Sequence, residues 1–478
     1  MKIEQQRRDI PSQRSAASES MQADLQRSRD VFAGYTRLQE AGDVYLPRHP
    51  AEDAKDFRIR LQNTPWYGAY SRTIKGMVGM VFREDPELGE DVPAPIAVHL
   101  ENVDNAGTHF DVFAKALFED GMIAGHVGIL VDMPRVEGTG LSRADESALG
   151  LRPYWVAIRK EDIVSWRTAI MKGRRLLEQV VLLESTVEPA GEFVDQVVIR
   201  YRQLRNDNGL ITWKLWVRMD DGGIERYSIE SEGVITNQTE IPLAMAYANK
   251  TDSMMSIPPL IDLAVANLDH RRLRSDFWHS LHKNNVPTPW ITGASSDEPV
   301  ELGPNTLIML PDGASAGYLE PTGAAAAATS KELESVKADM AALGLAMLAP
   351  QKRAAETAEA KRIDKSQSDS ALATASRSLQ DALETALQFH ANFMKLPTGG
   401  SVSINREFDG EPLAPEALKA LSELQANGQL SLESLWLLMG ERGALPDDFD
   451  PEIELGRIQS EMGPEPIQQP GVFDESTN

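Results

Sequence analysis

Cysteine is absent from all 478 residues. Disulfides, thiolate metal sites and cysteine nucleophiles are thereby excluded, and the composition fits a reducing compartment. Long apolar runs are missing too: none approaches the roughly 18 uncharged residues that a membrane helix needs. The opening MKIEQQRRDIPSQRSAASES has no apolar stretch of the secretory kind and reads as a polar arm that orders against a partner. Neither a GxxxxGKS/T phosphate loop nor HExxH occurs, so an ATP-driven motor is not expected. Basic residues are in deficit, 48 against 72 acidic, for a net charge of −24. That balance argues against general affinity for nucleic acid, which rests on phosphate neutralisation by Lys and Arg. It remains compatible with a conduit that nucleic acid slides past, because sliding needs few long-lived phosphate contacts.

One absence is local. From Gln351 to Leu396 no glycine or proline occurs, although the chain holds 34 Gly and 28 Pro. The residues there (Ala, Leu, Gln, Glu, Lys, Arg, Ser) favour helix, and an unbroken one would reach roughly 70 Å. Its halves differ. Leu372, Ala375, Leu379, Leu383, Ala386, Leu387, His390 and Met394 recur every three or four residues and predict one buried stripe. Between Lys361 and Ser370 almost nothing but Ile363 is apolar. The expectation is a rod that passes from a core into a wet or intersubunit setting, a part suited to an assembly. A break near Asp364–Ser370, where Ser and Asp weaken helix propensity, would not change that role.

The length allows two to four domains, and 42% hydrophobic residues suffice for substantial cores. A first helix is expected over about Ser18–Leu38, followed by a turn-rich VYLPRHPAED. Asn63-Thr64-Pro65 predicts a helix start, with Trp66, Ala69, Tyr70, Ile74, Met77, Val78 and Val81 on its apolar face. Another helix after Thr108 feeds a glycine-flanked strand, His126–Val131, which implies close backbone packing. Residues 151–247 read as an antiparallel meander built from YWVAI, QVVLL, DQVVIRYRQL, LITWKLWVRM and IERYSIE, with turns at RNDNG and DDGG. Helix returns after Ile257-Pro258-Pro259 and runs to about Lys283. VPTPWITG and NTLIMLPDG read as extended, and the alanine run 324–328 precedes Thr329-Ser330-Lys331-Glu332, a capping box. Helices are expected near Pro415–Ala426 and Ser431–Glu441, and GPEPIQQPGVFDESTN is expected to lack fixed structure.

No motif carries chemistry. His279 and His282, with Asp276 or Asp269, could share a helix face, but no third ligand stands at a recognisable spacing. Asp447, Asp448, Asp450, Glu452 and Glu454 lack the glycine a calcium loop needs and read as a solvated acidic turn. Asp220-Asp221 are hairpin residues. Trp66, Trp155, Trp213 and Trp216 fall on apolar faces and read as core. Arg271, Arg272, Arg274 and Lys283 form a basic cluster with two readings: contact with passing phosphates, or ion pairing with the abundant acids. No catalytic residue, cofactor or metal is expected.

The order of these parts resembles phage portal proteins, the head-to-tail connector family of tailed phages and prophages. The resemblance is carried by YLPRHPAEDAKDFRIRLQNTPWYGAYSRTIKGMVGMVF and THFDVFAKALFEDGMIAGHVGILVDMP. It continues through IPLAMAYANKTDSMMSIPPLIDLAVANLDHRRLRSDFWHSLHKNNVPTPWITG and LQANGQLSLESLWLLMGERGALPDDFDPEIELGRI, and spans residues 45–460. It implies an α+β fold with long helices and an antiparallel β-rich wing, and no enzymatic activity. The implied parts are an N-terminal arm (1–44), a wing (45–256), a stem helix (257–283), a clip (284–329) and a second stem helix (330–345). A tunnel loop (346–358) with Met347, Leu348, Gln351, Lys352 and Arg353 follows. A long backbone helix (359–396), a C-terminal helical region (397–460) and a tail (461–478) complete the chain. It further implies a homo-oligomeric ring, a dodecamer, at one capsid vertex of the virion, made in the host cytoplasm. Its partners would be double-stranded DNA, the terminase large subunit, head-completion or adaptor proteins and the major capsid protein. A different phage adaptor or scaffold protein shares the composition; a hydrolase with dispersed acids is a further alternative.

Overall fold

The structure is a computed structural model that describes residues 9–134, 151–221, 224–284, 288–293, 313–319, 324–345, 370–406, 408, 415–428, 430–441 and 449–461. The fold is mixed α+β, and the chain divides into two units, Met1–Arg406 and Glu407–Asn478.

The described part of the arm, from Asp9, is ordered by the chain itself. From Ser12 to Ser18 it lies along the chain's own sheet: Ser15 N–H donates to Val164 O at 3.2 Å, and Arg14 donates to Glu161 O at 2.6 Å and Ile163 O at 3.2 Å. Three helices follow where one was expected: α1 (Ala16–Ser20), α2 (Gln22–Ala33) and α3 (Tyr35–Glu40). The break is Gly34, whose φ of 80° no helix tolerates. An unforeseen α4 (Ala54–Asn63) follows, capped by Asp53, which accepts from Lys55 N and Asp56 N. Its buried residues are Phe57 and Arg60, and a charge in the stripe hides the helical pattern. Asn63-Thr64 ends this helix; α5 (Ala69–Val81) starts five residues later than Thr64 and buries Tyr70, Ile74, Met77, Val78 and Val81 as expected. Next come a short β1 (Glu87–Leu88), α6 (Ala94–Leu100) and α7 (Phe110–Ala124).

Helix α7 ends at Gly125 (φ 95°), where a Cβ would sit 2.6 Å from Ser256 Oγ, and passes into β2 (His126–Asp132), buried at every position. Strand β2 is the centre of a three-stranded antiparallel sheet, between β3 (Tyr154–Arg159) and β9 (Leu243–Tyr247). YWVAI therefore belongs to this sheet and not to the meander. The meander itself has five antiparallel strands in sequence order: β4 (Ile163–Met171), β5 (Arg174–Pro189), β6 (Asp195–Asp207), β7 (Leu210–Asp221) and β8 (Ile224–Ile235). Lys172-Gly173 and Asn208-Gly209 supply its tight turns with positive φ at both residues. Val180, Leu182, Leu204, Ile211 and Trp213 form one face and pack against Leu130 and Ile158 of the smaller sheet. Trp155 and Trp213 are buried, as expected.

Short strands β10 (Lys250–Asp252) and β11 (Met255–Ser256) lead into α8 (Ile261–Asn284). Strands β12 (Thr288–Thr292) and β13 (Ser315–Leu319) pair antiparallel, and α9 (Ala324–Leu345) follows. Helix α9 starts at the alanine run, not at the capping box. Alanine has the highest helix propensity, so the run extends the helix and places Thr329 and Ser330 inside it. NTLIML lies outside the described residues.

The rod is shorter than expected. Ser370 has ψ 160°, and its hydroxyl accepts from Ala373 N, so it caps a new helix, α10 (Ala371–Met394). A helix running unbroken over 359–396 is thereby excluded; residues 351–369 lie outside the described ones. At about 1.5 Å per residue α10 is roughly 36 Å long. Its stripe is as expected, with Leu372, Ala375, Leu379, Leu383, Ala386, Leu387 and His390 buried, and Met394 partly so. The stripe covers β9 and β2. Each buried leucine contributes about 1.5–3 kcal/mol. Strand β14 (Val402–Ser403) returns to pair with β1.

The second unit contains α11 (Pro415–Ala426) and α12 (Leu432–Glu441), both close to expectation, and α13 (Pro451–Glu461). Asp450 is more than an acidic turn: its Oδ1 accepts from Ile453 N at 3.2 Å and caps α13. The final GPEPIQQPGVFDESTN lies outside the described residues.

Candidate functional site

The segment α8–β12–β13–α9 is an excursion from the first unit. Thr288 pairs with Leu319. The end of α8 and the start of α9, a few residues from that pair, are therefore neighbours, and the two helices pack antiparallel. Glu334 and Lys337 of α9 act electrostatically on His270 of α8, which fixes the alignment.

The first half of α8 is anchored. Asn267 accepts from Tyr70 N at 3.1 Å and donates to Tyr67 O at 2.7 Å. Ser275 accepts from Arg60 at 3.2 Å and is paired with Thr64 Oγ1 at 3.0 Å. Leu263, Ala264, Leu268, His270 and Arg271 are buried. From Asp276 to Leu281 no residue is buried.

Helix α9 is barer still. Leu333 and Met340 are buried, with Val336 and Leu343 half-buried, which gives an alternating three- and four-residue seam against α8. Outside that seam and Gly344, its described side chains from Ala326 to Gly344 are exposed or half-exposed. The excursion also exposes aromatic surface: Trp278 52%, Trp290 42% and Tyr318 64%. Trp290 lies across Gly317 of the paired strand, where a Cβ would come within 3.0 Å of the indole. Free aromatic area of this kind on a protruding element is what an interface uses.

The basic cluster does not act as one surface. Arg271 is fully buried, with Nη1 3.5 Å from Leu38 O, and Nε and Nη2 without a hydrogen bond. Burial holds its pKa below the usual arginine value. An arginine enclosed by its own chain cannot reach a passing phosphate, so the phosphate-contact reading fails for Arg271. Arg272 donates to Tyr45 O at 3.1 Å and pairs with Asp269 at 2.8 Å, while Arg274 is half-exposed. The Lys283 side chain lies outside those described, as do Met347, Leu348, Gln351, Lys352 and Arg353. His270 is pushed down to about 4, first by burial and then by Arg274 and Lys337.

His279 stacks on His49 at 6.1 Å, and His49 meets Asp276 at 3.3 Å. Among the described residues no group of three or more His, Cys, Asp or Glu could hold a metal ion, and no helix is long and apolar enough to cross a membrane.

A family described as a domain of unknown function (DUF4055) matches residues 259–394, from the start of α8 to the end of α10. No curated protein matches. The chain is similar to one in the virion of a native gene transfer agent (GTA) particle, at 13% identity, covering 84% of this chain and 98% of that one with a TM-score of 0.37. It is also similar to a chain in the neck of the native GTA particle computed with C12 symmetry (14% identity, 85% and 99% covered, TM-score 0.38). A third likeness is to a chain in the neck of the empty particle computed with C6 symmetry (14%, 85% and 98%, TM-score 0.36).

Sequence reasoning missed the exposed aromatics. Trp278 follows Phe277 on α8 and Trp290 lies in an extended run, and only the folded backbone shows that the described residues leave them exposed.

Proposed function

We propose that this chain is the subunit of a phage-type portal ring, a conduit for DNA at one capsid vertex of the virion. The observation that carries the reading is the bare excursion: two long antiparallel helices bracketing a strand pair, anchored chiefly through the first half of α8, with Gly344 at the far end of α9 resting on Thr73 of α5. A single chain gains little from extending α9 into solvent. In a closed ring every copy meets two neighbours through heterologous surfaces, and such helices become lateral contacts. The portal resemblance of residues 45–460 supports the same reading.

On this reading α8 and α9 are the stem helices, with α9 beginning at Ala324 and not at 330. Residues 284–323 are the clip that docks the terminase and later the head-completion proteins. The acidic balance of −24 keeps passing DNA from adhering. Arg272, Arg274 and Lys283 make transient phosphate contacts; Arg271 does not. Twelve copies of a 52.7 kDa chain would weigh about 630 kDa. Mass photometry of the purified full chain should give one population near that mass, and a persistent monomer would overturn the proposal.

A further inference from the structure

Trp155, His390 and His99 form a chain of three rings that joins β3, α10 and α6. Trp155 Nε1 lies 3.2 Å from His390 Nδ1, and His390 Nε2 lies 3.0 Å from His99 Nδ1. An indole N–H can only donate. It therefore fixes His390 Nδ1 as an acceptor and leaves the His390 proton on Nε2. That proton in turn requires a bare Nδ1 on His99. One arrangement of protons satisfies all three rings, and in it both imidazoles are neutral. Trp155 and His390 are buried, while His99 is half-buried and reachable by solvent protons.

We propose that this chain is an acid-sensitive latch, in which protonation of His99 at Nδ1 breaks the hydrogen bond that ties α10 to α6. A proton there faces the Nε2–H of His390, donor against donor. Moving the His390 proton to Nδ1 only transfers the conflict to the indole. The surroundings do not relieve it. Arg152, a cation, acts on both rings and donates to His99 O at 3.3 Å and to Asn102 O. Asp104 acts on Arg152, but its carboxylate is occupied by the N–H groups of Ala106 and Thr108. Helix α7 presents the uncharged rings of Phe110 and Phe113 to Trp155, and neutral Gln238 donates to Phe389 O and accepts from Asn392 Nδ2.

Burial is the first cause that holds both imidazoles below their ordinary value, His390 to about 3; its second is His99, while for His99 it is Arg152. An opened histidine titrates near 6.5, so the open form binds more protons as pH falls below that value, and the latch weakens from there downward.

Hydrogen exchange of peptides from Ala371–Met394 in the full chain tests this. Between about pH 7.5 and about pH 5, wild-type exchange should rise about tenfold after correction for intrinsic rate, the loss of one buried hydrogen bond. In His99→Asn, Oδ1 replaces Nδ1 as a permanent acceptor, and the rise should be clearly smaller than in wild type, what remains coming from His390 alone. His99→Leu has no acceptor and should exchange fast at both values. His126 and His270 are unchanged in these variants, so the contrast isolates the pair. No rise in wild type, or an equal rise in His99→Asn, overturns the latch.

Discussion

Arg60 holds the carboxylate of Glu52 through two hydrogen bonds of 2.7 Å, from Nε to Oε1 and from Nη2 to Oε2. Both side chains are almost fully enclosed, and the same guanidinium reaches Pro47 O at 2.8 Å and Ser275 of α8 at 3.2 Å. One arginine thus connects α4, the loop before it and the anchored half of the excursion. Glu52→Gln leaves that cation enclosed without its counter-charge and should cost about 3–5 kcal/mol in chemical denaturation. The pH dependence has a definite sign. Hydrogen bonding to Arg60 lowers Glu52 from 4.5 to about 2. Its contribution is complete above about 4.5 and is lost as pH falls toward 2, a loss that should be missing from Glu52→Gln.

Arg271 is the opposite case, a buried cation with two nitrogens unpartnered. Arg271→Met keeps most of the volume and removes the desolvated charge. Stability should be unchanged or rise by about 1–3 kcal/mol, and DNA packaging should be unaffected. A packaging defect with normal stability would restore a DNA-contact role for this residue.

Gly399 presses against α10. A Cβ there would lie 2.3 Å from the carbonyl carbon of Leu387 and 2.4 Å from Gln388 N, both backbone atoms that cannot yield. Gly399→Ala should destabilise by about 3 kcal/mol, read from the denaturant midpoint. Gly173→Ala is the comparison: nothing lies within 4 Å of its Cβ, so the cost there comes only from its φ of 80°.

Trp278 and Tyr318 are exposed on the excursion and touch little of their own chain. Trp278→Ser and Tyr318→Ser should shift subunit stability by less than about 0.5 kcal/mol. Under the ring proposal they should weaken assembly, seen as a loss of high-mass species. Normal assembly with both substitutions would remove these aromatics from the interface.

Periodicity was legible where one element meets one apolar surface. The α10 stripe, the α5 face and the all-apolar β2 follow from residue spacing because their burial is simple. Where polar groups take part in burial, spacing misleads. Arg60 and Phe57 share the buried face of α4, so that helix reads as a polar stretch. Arg271 sits among solvated arginines in the sequence, yet the fold encloses it against α3. Single residues also decide boundaries that composition averages away: Gly34 splits the first helix, and Ser370 ends the rod by turning its backbone into an extended conformation. The His99–His390 pairing joins residues 291 apart in the chain, which no local pattern signals.

The central claim is that copies of this chain close into a ring around an axial channel. Negative-stain electron microscopy of the purified full chain tests it most directly. The account predicts end views of a closed ring with a central hole and side views with a narrower stem. Dispersed monomers, or an open filament of stacked copies, would contradict it.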